Sequence, residues 1–283
     1  MIDIKQVGIL GAGTMGHGIA HVCALAGYQV VLQDPMEGAA QKGLEKIKKN
    51  LDVGVEKKKV EPAARDAALT RITATAALSD VAKCQLVIEA APEKMELKKT
   101  IFGELSKLCA PDAILATNTS SLSVTEIAAA ASNPGRVLGM HFFNPVHLMK
   151  LLEVVRAFQT HDDAIAAARA FGEKIGKTLV VVKDSPGFAS TRLGLAVGLE
   201  AIRMVEEGVA SPQDIDTAME LGYGYPMGPL KLGDLVGLDV RLAISEYLYA
   251  ELGNPSFRPP QLLKKMVRAG KLGKKSGEGF YKY

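Results

Sequence analysis

The chain has 283 residues, enough for one or two domains, and 48% of them are hydrophobic, enough for a sizeable core. Its formal net charge of +3 is too small for the whole chain to read as a nucleic-acid binder. The longest apolar runs carry charges and glycines and are too short to span a bilayer. Cys23, Cys84 and Cys109 have neither metal-site nor CxxC spacing and read as inert thiols in a reducing compartment. The first strand begins almost at the N-terminus, so no signal or transit peptide is expected and the expected location is the cytoplasm.

Val7-Gly8-Ile9-Leu10 runs into Gly11-Ala12-Gly13-Thr14-Met15-Gly16, then an apolar helix, then Val30-Val31-Leu32-Gln33-Asp34. Strand, glycine turn, helix and acid-ended strand are the parts of a dinucleotide site. Gly11 permits the tight turn, Gly13 lets backbone approach a pyrophosphate, and Gly16 lets the helix pack on the strand. The helix N-terminus offers unpaired N–H groups to the phosphates. Asp34 is placed to accept from a ribose 2′-hydroxyl, and its charge repels a 2′-phosphate.

Residues 37–70 read as a lysine-rich helical pair, with Pro62 in the first turn of its second helix. Leu44, Ile47 and Leu51 form its narrow apolar stripe. Its lysines are either a solvated face or a platform for a phosphate-bearing ligand. Strands follow near 72–74, 86–91 and 114–117, with a helix at 96–109. Ser123-Val124-Thr125-Glu126 reads as a capping box. Further strands are expected at 136–143, 151–155 and 178–182, with an alanine-rich helix at 162–176. After Ser185-Pro186-Gly187 the alternation stops. Helices are expected at 188–207, 212–221, 231–252 and 259–270. The fold class is therefore α/β: a doubly wound, Rossmann-type sheet over residues 1–184, then a smaller all-α domain over 185–283.

Open α/β sheets bind ligands beyond the carboxyl ends of their strands. Three polar clusters fall there: Glu93, Asn118 to Ser121, and His141 to Asn144. Glu153 lies in the next strand, where a short return could bring it beside His141, making an oriented acid–base histidine. His17 and His21 have metal-compatible spacing, but no third ligand is evident and no metal is expected. Ser120 lacks a nucleophile-elbow sequence and suits hydrogen bonding better than attack.

Six motifs together carry a resemblance over essentially the full length. They are GAGTMG at 11–16, EAAPE at 89–93, NTSS at 118–121, HFFNP at 141–145, DSPGF at 184–188 and GKKSGEGFY at 273–281. The chain resembles the short-chain L-3-hydroxyacyl-CoA dehydrogenases, in particular the bacterial branch acting on 3-hydroxybutyryl-CoA. The resemblance implies an NAD-dependent oxidoreductase on a short (S)-3-hydroxyacyl-CoA. His141 would be the base, Glu153 its partner, Ser120 a hydrogen-bond donor to the 3-oxygen, and Asn144 a contact to substrate and nicotinamide. Gly11, Gly13, Thr14, Met15, Gly16, Asp34, Glu93, Lys98 and Lys275 would line the NAD site. Asn50 and Lys57 match positions that contact CoA. Thr191 stands where the family usually has an asparagine that reaches the substrate. A homodimer through the C-terminal domain is also implied. It agrees with the 188–207 helix, whose apolar residues spread over more than one face. The alternatives are a dehydrogenase of a free 3-hydroxy acid or sugar acid, and a non-catalytic NAD-binding protein.

Overall fold

Near-continuous apolar runs in the first part of the chain pair into one eight-stranded sheet. The computed structural model describes residues 2–283, which divide into two compact units meeting at Asp184 and Ser185. The first unit contains β1 (Gln6–Leu10), α1 (Thr14–Leu25), β2 (Gln29–Gln33), α2 (Ala39–Glu56), α3 (Pro62–Thr70) and β3 (Ile72–Thr75). It continues with β4 (Leu86–Glu89), α4 (Met95–Leu108), β5 (Ile114–Thr117), α5 (Val124–Ala129) and β6 (Val137–Phe142). β7 (Leu151–Arg156), α6 (Asp162–Lys174) and β8 (Thr178–Lys183) complete it.

The strand order is β3-β2-β1-β4-β5-β6-β7-β8. Pairings from β3 across to β6 are parallel, and β7 turns back antiparallel on β6. The order reverses between β1 and β4, which puts a crevice beyond their carboxyl ends. β4, β5 and β6 are fully buried, as strands covered on both faces must be. Ile9, Ile19, Leu32, Ile47, Leu51 and Ile88 share one core, so the stripe of α2 packs with the sheet while its lysines face outward.

The second unit is helical, with α7 (Ser190–Glu206), α8 (Pro212–Tyr223), α9 (Pro229–Val236), α10 (Leu238–Leu252) and α11 (Gln261–Arg268). Leu195, Leu199, Ile202, Leu230, Leu238 and Leu263 are in its core. The helix expected over 231–252 is two helices, α9 and α10. Gly237 separates them at φ 108°, a conformation closed to other residues. α7 is not buried on every side of the single chain, because Leu193 is 69% exposed. The 123–126 capping box is half formed. Ser123 Oγ accepts from Glu126 N at 3.2 Å, whereas the Glu126 carboxylate faces Lys99.

Candidate active site

The glycine turn closes the gap between β1 and β4. A Cβ on Gly16 would lie 1.7 Å from the carbonyl oxygen of Gly11, and one on Gly11 would lie 2.7 Å from that of Ala90. The turn therefore exists only with hydrogen at both positions. At Gly13, the N-cap of α1, a Cβ would meet nothing within 4 Å. That open space at a helix N-terminus fits a pyrophosphate. Asp34 follows β2 and is fixed at both oxygens, accepting from Ala12 N at 2.9 Å and Met36 N at 3.0 Å. The acid is held beside the turn, where an adenosine ribose would lie. Thr14 opens α1 and is exposed, whereas Met15 packs partly against the core.

Beyond β4 the site rests on a buried ion pair. Glu89 is 0% exposed, and its Oε1 accepts from Lys98 Nζ at 2.7 Å and from Ala91 N at 2.6 Å. Thr117, at the end of β5, donates to Glu89 Oε2 at 2.7 Å. Lys98 also reaches Glu93 Oε2 at 3.4 Å. Glu93 Oε1 in turn accepts from Thr119 Oγ1 and from Ser120 N at 3.0 Å. Lys98 is thus buried, and its charge bears on the crevice through Glu93 and the Ser120 loop. Sequence reasoning placed Thr119 in the polar cluster at 118–121 but missed the roles of Glu89 and Thr117. An acid ending the apolar run Leu86-Val87-Ile88 was the available signal, because a carboxylate there needs a cation.

His141 lies in β6, two residues past the Gly139 that pairs with Thr117 of β5. The antiparallel return of β7 sets Glu153 directly opposite His141. His141 Nδ1 and Glu153 Oε2 are 2.8 Å apart, and both residues are buried. The short return expected from sequence is therefore the observed one. Asn118 Oδ1 accepts from Phe142 N at 2.9 Å and ties the Ser120 loop to this strand. Asn144 follows, exposed, before a cis bond to Pro145. Ser120, His141 and Asn144 thus emerge from the carboxyl ends of neighbouring strands.

Asn50 and Lys57 lie at the end of α2 and line one pocket with His147 and Lys177. In the second unit, Thr191 is the second residue of α7. Lys275 pairs with Asp239 at 2.6 Å.

Two family models cover nearly all of the chain. Residues 6–185 match the 3-hydroxyacyl-CoA dehydrogenase NAD-binding domain, and residues 187–283 match the C-terminal domain of the same family. The chain is 47% identical over 280 residues to the 3-hydroxybutyryl-CoA dehydrogenase of Bradyrhizobium diazoefficiens, covering 99% of this chain and 96% of that protein. It is 43% identical to the mitochondrial hydroxyacyl-coenzyme A dehydrogenase of Sus scrofa, covering 100% of this chain and 92% of the relative. The crystal structure of (S)-3-hydroxybutyryl-CoA dehydrogenase from Ralstonia eutropha superposes with a TM-score of 0.96 at 44% identity, covering 99% of each chain. The glycine turn, the fixed Asp34 and the His141–Glu153 pair all lie within the residues matched by the NAD-binding model, and both models name one family. The chain belongs to the 3-hydroxyacyl-CoA dehydrogenase family.

Proposed function

We propose that the protein interconverts short-chain (S)-3-hydroxyacyl-CoA and 3-ketoacyl-CoA, with 3-hydroxybutyryl-CoA and acetoacetyl-CoA as its substrates. The observation that carries the reading is the buried His141–Glu153 pair at a strand end beside the Ser120 loop. The 47% identity to a 3-hydroxybutyryl-CoA dehydrogenase supports the substrate.

NAD, when bound, supplies the hydride acceptor for C3. The protein's own groups handle the proton. Glu153 engages His141 Nδ1 at 2.8 Å, so Nε2 is the nitrogen assigned to take the 3-hydroxyl proton. Glu153 then faces the resulting imidazolium at contact distance, in a buried site where opposite charges attract strongly. Ser120, whose N–H is anchored on Glu93, is assigned to donate to the developing 3-oxygen. Asn144 is assigned to orient substrate. Gly11, Gly13, Thr14, Met15, Gly16, Asp34 and Glu93 would hold the cofactor, with buried Lys98 acting on it through Glu93. Asn50 and Lys57 would meet CoA. Thr191 and Lys275 are the second unit's proposed contributors.

The exposed apolar side chains Leu193, Leu221 and Leu235 support a homodimer through the helical unit. A monomeric mass by light scattering at micromolar concentration would refute that part. Three buried free thiols suit a reducing cytoplasm. Among the described residues, no helix is long and apolar enough to cross a membrane. The test of the activity is a panel of 3-ketoacyl-CoA esters and free acids, assayed with NADH and NADPH. Rapid reduction of acetoacetyl-CoA by NADH is expected. Turnover of free acids alone would refute the reading.

A further inference from the structure

A pocket of about 610 Å3 lies in the first unit between the C-terminal parts of α1, α2 and α6 and the loop after β6. Lys57, Lys59, Lys150, Lys174 and Lys177 line it, and among the described residues no carboxylate does. Like charges around one cavity repel each other, and an anion between them relieves that repulsion. Lys174 sits over the Tyr28 ring, 4.2 Å from its centroid. Lys177 donates to the carbonyls of Val146 and Met149, which fixes the loop that carries His147.

The same pocket contains two stacked histidines. The rings of His21 and His147 lie 5.2 Å apart and within 5° of parallel. His21 is 3% exposed, and among the described residues its Nδ1 has no hydrogen-bond partner. His147 is exposed at the pocket's edge. His17, one turn before His21 on α1, bonds the carbonyl of Gly13 at 2.6 Å and adds a third imidazole nearby. Burial, His147, His17 and Lys177 together push the His21 pKa down to about 4. Burial, His17 and Lys177 hold His147 below the ordinary histidine range. Cys23, beside Lys177, is fully buried, and its thiol pKa is pushed above the ordinary range, so it adds no negative charge. The pair is therefore neutral at pH 7, and among the described residues no carboxylate lines the pocket with it.

We propose that this pocket is a proton-linked anion receptor, in which a phosphate seated among the lysines converts His147 to its imidazolium while His21 remains its neutral stacking partner. The phosphate is one carried by CoA or free inorganic phosphate. The first source rests on the function proposed above; the receptor itself does not. The sign follows from the charges. Without an anion His147 titrates below its ordinary pKa, and a bound dianion raises that value. Anion binding therefore takes up a proton. The gain in affinity is full below the free-state pKa of His147 and is lost as pH rises through the bound-state pKa.

Inorganic sulfate is the test probe, because its charge is constant between pH 5 and pH 8. The full chain is titrated calorimetrically at pH 6 and pH 8 in buffers of different ionisation enthalpy. A His147 pKa raised by about one unit makes sulfate bind several-fold tighter at pH 6 than at pH 8, with proton uptake and with about tenfold as the ceiling below the free-state pKa. The His147 ring signal in NMR should then titrate at higher pH with sulfate present. In His147→Gln, uptake should vanish and the ratio of affinities at the two pH values should fall below about twofold, the remainder being lysine binding. Absence of sulfate binding, or proton uptake unchanged in His147→Gln, overturns the proposal. Displacement of bound sulfate by acetoacetyl-CoA assigns the pocket to CoA. Sulfate that stays bound assigns it to free phosphate, and both outcomes support the receptor. Failure of the proposed activity is seen separately, as absent turnover of acetoacetyl-CoA, and leaves the sulfate result standing.

Discussion

Buried carboxylates occur in both units, but they are satisfied in different ways. In the second unit, Asp216 of α8 accepts from Leu230 N at 2.8 Å, Lys231 N at 2.9 Å and Tyr281 Oη at 2.7 Å. It caps the N-terminus of α9, whose own N-cap, Gly228, has no side chain to do so. Asp234 similarly accepts from Phe280 N and Tyr281 N and holds the C-terminal segment. In the first unit, Glu153 faces an imidazole, and Glu89 faces an ammonium and a hydroxyl. Backbone N–H partners do not titrate, and burial and Asp216 push the Tyr281 phenol above its ordinary range, so the acids of the second unit serve architecture. Side-chain partners at strand ends can exchange protons or pass charge onward, so those of the first unit can serve chemistry.

The sharpest break between the two sets is kinetic. His141→Ala should lower kcat for acetoacetyl-CoA reduction by roughly 100-fold or more, the usual scale for an acid–base group. Its Kd for NADH should change little. Glu153→Gln keeps a hydrogen-bond acceptor but removes the charge facing the imidazolium. It should lower kcat less than His141→Ala does and alter the pH profile of kcat. Near-normal turnover in His141→Ala would place Glu153 with the architectural carboxylates.

Asp216→Ala is the converse experiment. It leaves two helix N–H groups without their acceptor and the Tyr281 phenol with only the Pro212 carbonyl. The expected cost is about 1–3 kcal/mol of folding stability. Urea unfolding should reveal a lower midpoint at unchanged slope. Activity measured well below that midpoint should stay within about twofold, since no proton-transfer group is lost. A large fall in kcat with unchanged stability would erase the distinction between the units.

Asp34 lies between the two kinds. Its partners are backbone N–H groups, yet it sits at a strand end beside the glycine turn. A carboxylate with spare acceptor capacity can hold both the turn and a ribose hydroxyl. NADH should be preferred over NADPH, because Gln33 and Pro35 bring no cation to a 2′-phosphate. Asp34→Ala should narrow the preference by about tenfold, the scale of one charged hydrogen bond. Equal kcat/KM for the two cofactors in the unsubstituted protein would reduce Asp34 to a brace for the turn.

The sequence carried the parts of this picture that depend on local pattern. Gly11 and Gly16 were legible because the turn needs a missing Cβ at each, and Gly13 because a pyrophosphate would use the open space there. Glu153 was legible beside His141 because a strand return has few geometries. Asp216 and Asp234 were not, because their partners lie 14 or more residues away and, apart from the Tyr281 and Tyr283 hydroxyls, are backbone groups that leave no trace in residue type. Gly237 was hidden inside an apolar run that reads as one helix; only its φ of 108° breaks it. The His21–His147 stack joins α1 to a loop more than a hundred residues later, a pairing no local spacing encodes.

The cations test the same rule at its smallest expected effect. Lys98 is 1% exposed and held by Glu89 and Glu93, whereas Lys57 is exposed at the end of α2 and lines a pocket without carboxylates. A buried, paired lysine braces; an exposed one beside other lysines is free to meet a phosphate. Lys57→Ala should therefore raise KM for acetoacetyl-CoA about threefold to tenfold while leaving kcat nearly unchanged, as loss of binding felt equally in ground and transition states requires. The effect should shrink as salt is raised from about 20 mM to 500 mM, because an exposed charge is screened within a Debye length. NADH should keep its KM, since the glycine turn and Asp34 do not involve α2's last turn. Stability should hardly move, because surface substitutions away from packed or paired groups stay within about 0.5 kcal/mol. An unchanged KM at low salt would return Lys57 to the solvated face of its helix. A fall in stability instead would mean that even this exposed lysine braces the fold.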